Sequence, residues 1–266
     1  MTAPGDLLSV FVAVAVALWT YVTAWFFISL AVKRNDVADV AWGLGFVVAT
    51  AVALVAAPNR SITAWLIMTL VLLWGLRLSL HIGLRNLRKP EDFRYRAWRD
   101  SWRKWFYLRS YFQVFILQGI LIFIIALPLM IIASSASGGL KPLVALASVL
   151  WLSGFVFEAV GDKQLRTFVR NPHNRGRVIT TGLWKYSRHP NYFGEVTQWW
   201  ALGIMALPYR YGLIGLVGPA TITFLIIKVS GVAILEKKYA TNSEYQAYKL
   251  RTNRLIPLPP RNITPR

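Results

Sequence analysis

The chain has 266 residues, of which 56% are hydrophobic, and a formal net charge of +19. That composition is too apolar for an ordinary soluble domain, and the absence of cysteine excludes disulfides, thiolate metal sites and cysteine nucleophiles. The cations lie between apolar runs, which suits an anionic inner leaflet and phosphate-bearing ligands better than nucleic acid.

Apolar segments able to cross about 30 Å of hydrocarbon recur along the chain at Leu7–Val32, Asp39–Ala57, Ile62–Gly83, Tyr111–Ile132, Leu143–Val160, Tyr192–Leu207 and Leu213–Leu235. Inside lipid each must be helical, because its backbone groups find no water there. The first run lacks a basic leader, so it reads as a span rather than a cleavable signal peptide. The expected fold is therefore all-α: one polytopic membrane domain over 1–266 with seven transmembrane helices. Lys and Arg concentrate in 33–38, 84–110, 161–191 and the tail from 236, while the alternate loops hold only Arg60, Lys141 and Arg210. By the positive-inside rule the N-terminus is outside and the C-terminus, with the 236–266 tail, cytoplasmic.

This topology gathers Asp39, Arg77, His81, Glu158, Glu195 and Lys228 in the cytoplasmic half of the bundle. Charges within spans face a cavity or a partner, unless they snorkel at helix ends. The interval 86–109 places Tyr95, Trp98, Trp102, Trp105 and Phe106 at three- and four-residue spacing among Arg and Lys. It reads as an amphipathic helix in the headgroup plane, with Tyr95 the residue best placed for a functional role.

The longest polar interval, 158–195, holds seven basic residues against three acids, with two of the three histidines. His81, His173 and His189 show no H-E-x-x-H spacing, and no metal site is expected. Asp162, Arg166 and Arg170 fall on one face if the fifth span continues as a helix; a plain Asp–Arg helix pair is the simpler reading of that spacing. Arg175, Arg177, Lys185 and Arg188 follow, able to bind phosphate by fork or by point charge. In the run G-L-W-K-Y-S-R-H-P-N-Y-F-G-E, Pro190 suits a first helical turn and sets Asn191 at a helix N-terminus, an end suited to anions. Glu195, one turn on, offers a carboxylate to a donor such as a carboxamide. A capped helix start with an interfacial histidine accounts for R-H-P-N but leaves Glu195 without a role.

At these residues the sequence resembles the steroid 5α-reductase family of membrane oxidoreductases, in its bacterial branch. The likeness rests on G-D-K-Q-L-R-T-F, the G-L-W-K-Y-S-R-H-P-N-Y-F-G-E run, E-D-F-R-Y and R-L-I-P, and it is most specific over 158–200. It implies a seven-helix protein of a bacterial inner membrane. Such a protein holds NADPH in a cavity open to the cytoplasm and delivers hydride to an activated C=C bond of a lipophilic, steroid-like or isoprenoid, substrate. By position, Asp162 and the arginines Arg166, Arg170, Arg177 and Arg188 would meet the adenosine and phosphates, with Tyr186 and His189 beside them. Asn191 and Glu195 would hold the nicotinamide carboxamide. The family's acid departs: its Gln-Glu pair and Tyr align with Gly45, Phe46 and Trp74, so Asp39 or Tyr95 stands as the substitute catalytic residue. Membrane lipids are the other expected partners, and no nucleic acid or obligate protein partner is expected.

The R-H-P-x-Y-x-G run followed by Glu236, Tyr239, Tyr245 and Tyr248 is also similar to membrane methyltransferases of the isoprenylcysteine carboxyl and phospholipid types, which use S-adenosylmethionine. A lipid-binding protein without catalysis is the third reading, and it leaves Asn191 and Glu195 unexplained.

Overall fold

The long apolar runs of the sequence lie in helices, some of which continue into charged residues. In a computed structural model, described over residues 4–57, 61–87, 89–135 and 141–261 with side chains from residue 7 onward, the regular structure is helical. Arg60, Arg88 and Arg266, three of the cations in the topology argument, lie outside the described residues. The elements are α1 Pro4–Val32, α2 Val37–Ala56, α3 Ile62–Asn86, α4 Phe93–Trp102, α5 Phe106–Ser110, α6 Leu117–Ile125, α7 Leu127–Ser134, α8 Pro142–Arg170, α9 Pro190–Ala206, α10 Val217–Phe224, α11 Val232–Lys238 and α12 Ser243–Arg251.

Among the described residues, six helical stretches are long and apolar enough to cross a membrane: Leu7–Val32, Val37–Ala56, Ile62–Asn86, Phe93–Ile125, Pro142–Arg170 and Gly212–Lys238. The sixth span expected from sequence is α9, whose 17 residues rise only about 26 Å. The fourth is displaced: its helical run starts at Phe93, is broken at Arg103, passes through a π-helical stretch at Tyr111–Ile116 and stops at Ala126, before α7. The interval 86–109 is therefore not one continuous helix. Asp92 caps α4 by accepting from the Arg94 amide at 3.0 Å, and Arg103, at φ 44°, turns the chain between α4 and α5.

On α1, Val10, Val14, Leu18 and Val22 are buried while Leu8, Val12, Val16 and Trp19 are exposed. A helix apolar on both faces buries one stripe against protein and offers the other to lipid. The chain divides into two compact units, Met1–Pro142 with Met205–Gly218, and Leu143–Ile204 with Pro219–Arg266.

In the first unit α2 and α3 meet where a Cβ on Gly43 would come within 2.8 Å of the Gly75 carbonyl, so only glycine permits the approach. Phe46 and Trp74 are buried and stack edge to face at 5.6 Å. In the second unit α8 and α9 touch in the same way. A Cβ on Gly154 would lie 2.7 Å from the Gly194 carbonyl and 3.0 Å from the Gln198 amide nitrogen. Because both obstacles are backbone, Gly154→Ala is expected to push the helices apart at a cost of about 1–3 kcal/mol, read as a lower midpoint of thermal unfolding in detergent.

Candidate functional site

The polar end of α8 and the first turns of α9 are joined by two amide–carboxylate pairs. Asn191 Nδ2 donates to Asp162 Oδ1 at 3.1 Å, and Gln198 Nε2 donates to Glu158 Oε2 at 2.6 Å. Glu158 and Asp162 are four residues apart and share a face of α8; Asn191 and Gln198 are seven apart and share a face of α9. Each amide thus commits its NH2 to a carboxylate, and its carbonyl oxygen, Asn191 Oδ1 or Gln198 Oε1, is buried without a hydrogen-bond partner. Buried polar atoms of this kind call for a ligand or a water.

The connecting segment is pinned to the same helix. Gln164 accepts from the Leu183 amide at 3.0 Å, Trp184 Nε1 donates to the Gly161 carbonyl at 3.2 Å, and Gly182 takes φ +62° beneath the Gln164 side chain. From the other side Tyr248 Oη donates to the carbonyls of Trp184 and Ser187, Ser187 Oγ donates to the Leu255 carbonyl at 2.7 Å, and the Arg188 amide donates to the Asn253 carbonyl at 2.9 Å. Residues 184–190 are thereby held from both α8 and the 245–258 segment.

That clamping buries Arg188 (6% exposed) and His189 (3%) just before α9. Arg188 Nη2 lies 2.9 Å from Glu236 Oε1 in α11; Arg254 Nε and His189 Nε2 approach the same oxygen at 3.8 Å, and Lys249 Nζ lies 3.9 Å from Oε2. One carboxylate therefore answers three full cations, and the group is net positive. Arg188 Nε and Nη1, His189 Nε2, the Tyr245 hydroxyl and Glu236 Oε1 are all buried without a well-formed hydrogen bond, although Arg188 lies close to Tyr245 and His189 to Glu236. Burial raises the Tyr245 phenol above its ordinary pKa, and the Glu236 carboxylate adds to the effect, so the group stays a neutral donor. The cluster can receive an anion, with a guanidinium edge and a phenol as donors.

Burial pushes the His189 imidazole below its ordinary pKa, and Glu236 pulls the other way without prevailing against it, Arg188 and Arg254. The neutral form is favoured in the folded chain. Its contribution is whole above the unfolded value of about 6.5 and declines as pH falls below it, because the unfolded chain then takes the proton more readily. The unfolding midpoint should drop between pH 7.5 and 5.5, and His189→Gln should flatten that slope.

Of the residues singled out from sequence, Asp162 with Asn191, and Arg188 with His189, are brought together. α8 runs unbroken to Arg170, but Arg166, Arg170, Arg177 and Tyr186 are exposed. Glu195 is half-buried, one turn into α9. Gln198 and the joining of Glu236 to Arg188 were not foreseen. Gln198 stands seven residues after Asn191 inside an apolar run, a position that needed a reason, whereas Glu236 sits just past the end of its apolar segment, beside Lys237 and Lys238.

The first unit holds the other two. Tyr95 Oη donates to Asp39 Oδ1 at 2.8 Å, and Arg94 Nη2 donates to Asp39 Oδ2 at 3.0 Å while its Nε reaches Asp92 Oδ1 at 3.0 Å. Burial works against the Asp92 carboxylate, yet its bonds from Arg94 hold it below the ordinary range. Nearby, Arg34 forms a fork on Asp36, and Arg99 holds Glu91, which accepts from the Asn35 amide at 2.7 Å. The network ties α4 to the start of α2.

With regular structure that is helical and six span-length apolar helices among the described residues, the chain has the make-up of a multi-pass membrane protein. It belongs to the DUF1295 family, described as a protein of unknown function, whose profile matches residues 25–252. Two curated proteins are similar over part of their length. A probable O-methyltransferase, ustE, of Ustilaginoidea virens is 38% identical over 63 residues, covering 23% of this chain and 22% of its own. An uncharacterized protein of Schizosaccharomyces pombe is 27% identical over 151 residues, covering 48% and 43%. The chain thus spans less than half the length of either relative. No solved structure matches it.

Proposed function

We propose that the chain is a membrane oxidoreductase that binds NADPH and reduces an activated C=C bond of a lipophilic substrate. We place it in a bacterial inner membrane, with α9 as a seventh, short crossing over which the bilayer thins, the N-terminus outside and the C-terminus cytoplasmic. The observation that carries the reading is the buried Arg188, with two guanidinium nitrogens lacking a hydrogen-bond partner, on the same short segment as Asn191, whose side-chain carbonyl oxygen is buried and likewise unpartnered. An anionic cofactor that also bears a carboxamide needs that combination of donor and acceptor.

The residues present fit the cofactor. Arg188 and Tyr245 would meet phosphate oxygens, the exposed Arg166, Arg170 and Arg177 would steer the anion by charge, and Asn191 with Glu195 would accept from the carboxamide. When bound, NADPH supplies the hydride. The protein's part is to orient the cofactor, to neutralise it and to exclude water.

A methyltransferase using S-adenosylmethionine is the second reading. It is favoured by the assembly of Arg188, His189 and Glu236 and by the methyltransferase name of one relative. Charge decides against it: S-adenosylmethionine is net cationic, and the Arg188 group has cations in excess of its one carboxylate. Incubation with a native lipid extract separates the two readings. NADPH deuterated at the reactive ring carbon should leave deuterium in a lipid that has lost a double bond; a deuterated methyl group passed from S-adenosylmethionine to a lipid would overturn the assignment.

A further inference from the structure

The first unit contains a cavity that the oxidoreductase reading does not use. It has a volume of about 140 Å³ and is lined by Ser29, Leu30, Lys33, Asn35, Arg99, Phe106 and Tyr107, room for far more than one water. Its walls come from the last turn of α1, the residues that follow it, α4 and α5. Here the apolar Leu7–Val32 stretch gives way to Lys33 and Arg34, the change that marks a membrane–water boundary. Tyr107 and Trp105, both more than half exposed, stand at the same level of the chain as amphipathic anchors.

The lining is divided by chemistry. Leu30 and Phe106 are apolar, whereas Lys33 and Arg99 are cationic. Arg99 makes its protein hydrogen bonds through Nη2, to the Lys33 carbonyl and to Glu91, and lies over the Phe106 ring at 4.1 Å. The ring contact and the carboxylate hold the guanidinium at the cavity. Glu91 offsets one positive charge, and the Lys33 ammonium, exposed and in no ion pair among the described residues, supplies a second. The lining thus presents one net positive charge beside an apolar wall at headgroup depth. The polar groups Ser29 and Asn35 are already satisfied, by the Phe26 carbonyl and by Ser110 with Glu91, so the unmet need is for an anion.

We infer that this cavity is a binding site for the phosphodiester of an acidic phospholipid, with Lys33 and Arg99 taking the phosphate and Leu30 and Phe106 taking the glycerol and upper acyl chain. A singly charged headgroup matches the charge, and its lipid portion matches the apolar wall, which a free phosphate ion would leave empty. Lipid recognition at a basic, aromatic-flanked helix end follows from the same physics as other inner-leaflet sites.

The test uses the full-length protein in nanodiscs of phosphatidylcholine with a minor fraction of phosphatidylglycerol, released into native mass spectrometry to count retained lipids. Wild type should retain phosphatidylglycerol in preference to phosphatidylcholine. Lys33→Gln should weaken that preference about fivefold and Lys33→Glu tenfold or more, near the effect of one and two charges at a membrane surface. Lys33 is exposed and unpaired, so both variants should fold as wild type does. Lys104→Glu, a charge change in the same interval but outside the cavity, should leave retention unchanged. An equal loss for Lys104→Glu and Lys33→Glu would show a diffuse surface-charge effect and overturn the site, as would unchanged retention in Lys33→Glu. Displacement of the lipid by millimolar inorganic phosphate would also overturn it, because the site would then read phosphate alone.

Discussion

Replacing Glu236 with alanine is expected to cost about 3–5 kcal/mol of folding stability, the usual penalty for stranding a buried charge. The cation left behind is Arg188, 6% exposed and 2.9 Å from the lost carboxylate; Lys249 and Arg254, both more than two-fifths exposed, can turn to water. Unfolding in detergent would show the loss directly. The double change Arg188→Met with Glu236→Leu should recover most of it, since an apolar pair of similar volume carries no desolvation penalty. If the buried pair serves only the fold, the double variant will be indistinguishable from wild type in every assay. The proposed function requires instead that it fold normally and fail to bind NADPH, because the guanidinium that meets the phosphates is gone. Stability and binding thus separate in one protein.

The second large effect falls on Asn191. Asn191→Leu should lower NADPH affinity by about ten- to a hundredfold, the equivalent of one or two hydrogen bonds left unmade in a dry site. Asp162→Asn should act more weakly, because it removes the carboxylate that fixes the amide's orientation while keeping a polar neighbour. Titration of cofactor fluorescence would rank the three proteins. The proposed order is wild type, then Asp162→Asn, then Asn191→Leu. Equal affinity in all three would remove Asn191 from the site.

Much of the helical pattern could be read before the structure was known, because the physics is local. Pro190 in the run R-H-P-N-Y placed the start of α9, and the apolar stretch before Glu158 placed α8. The boundary errors have local causes too. Arg103, at φ 44°, breaks the 86–109 interval, and Ala126 ends the fourth helix within an otherwise apolar run. The candidate site was less legible because its pairings are distant in sequence. Arg188 meets Glu236 across 48 positions and Tyr95 meets Asp39 across 56, and no periodicity links residues so far apart. Arg166, Arg170 and Arg177 show the opposite limit. Arg166 and Arg170 are spaced from Asp162 for one helical face and Arg177 follows in the loop, yet that part of α8 and the loop are exposed, and spacing alone says nothing about burial.

The central proposal is that the segment from Arg188 to Asn191, with Tyr245 and Asp162 around it, grips an anionic nucleotide. Thermal unfolding of the detergent-solubilised protein, with NADPH and S-adenosylmethionine added separately, tests it most directly. NADPH at a hundred times its dissociation constant should stabilise the protein by about 2.7 kcal/mol, with no response to the methyl donor and none to NADPH in the Arg188→Met, Glu236→Leu protein. A rise with S-adenosylmethionine and none with NADPH would contradict the account.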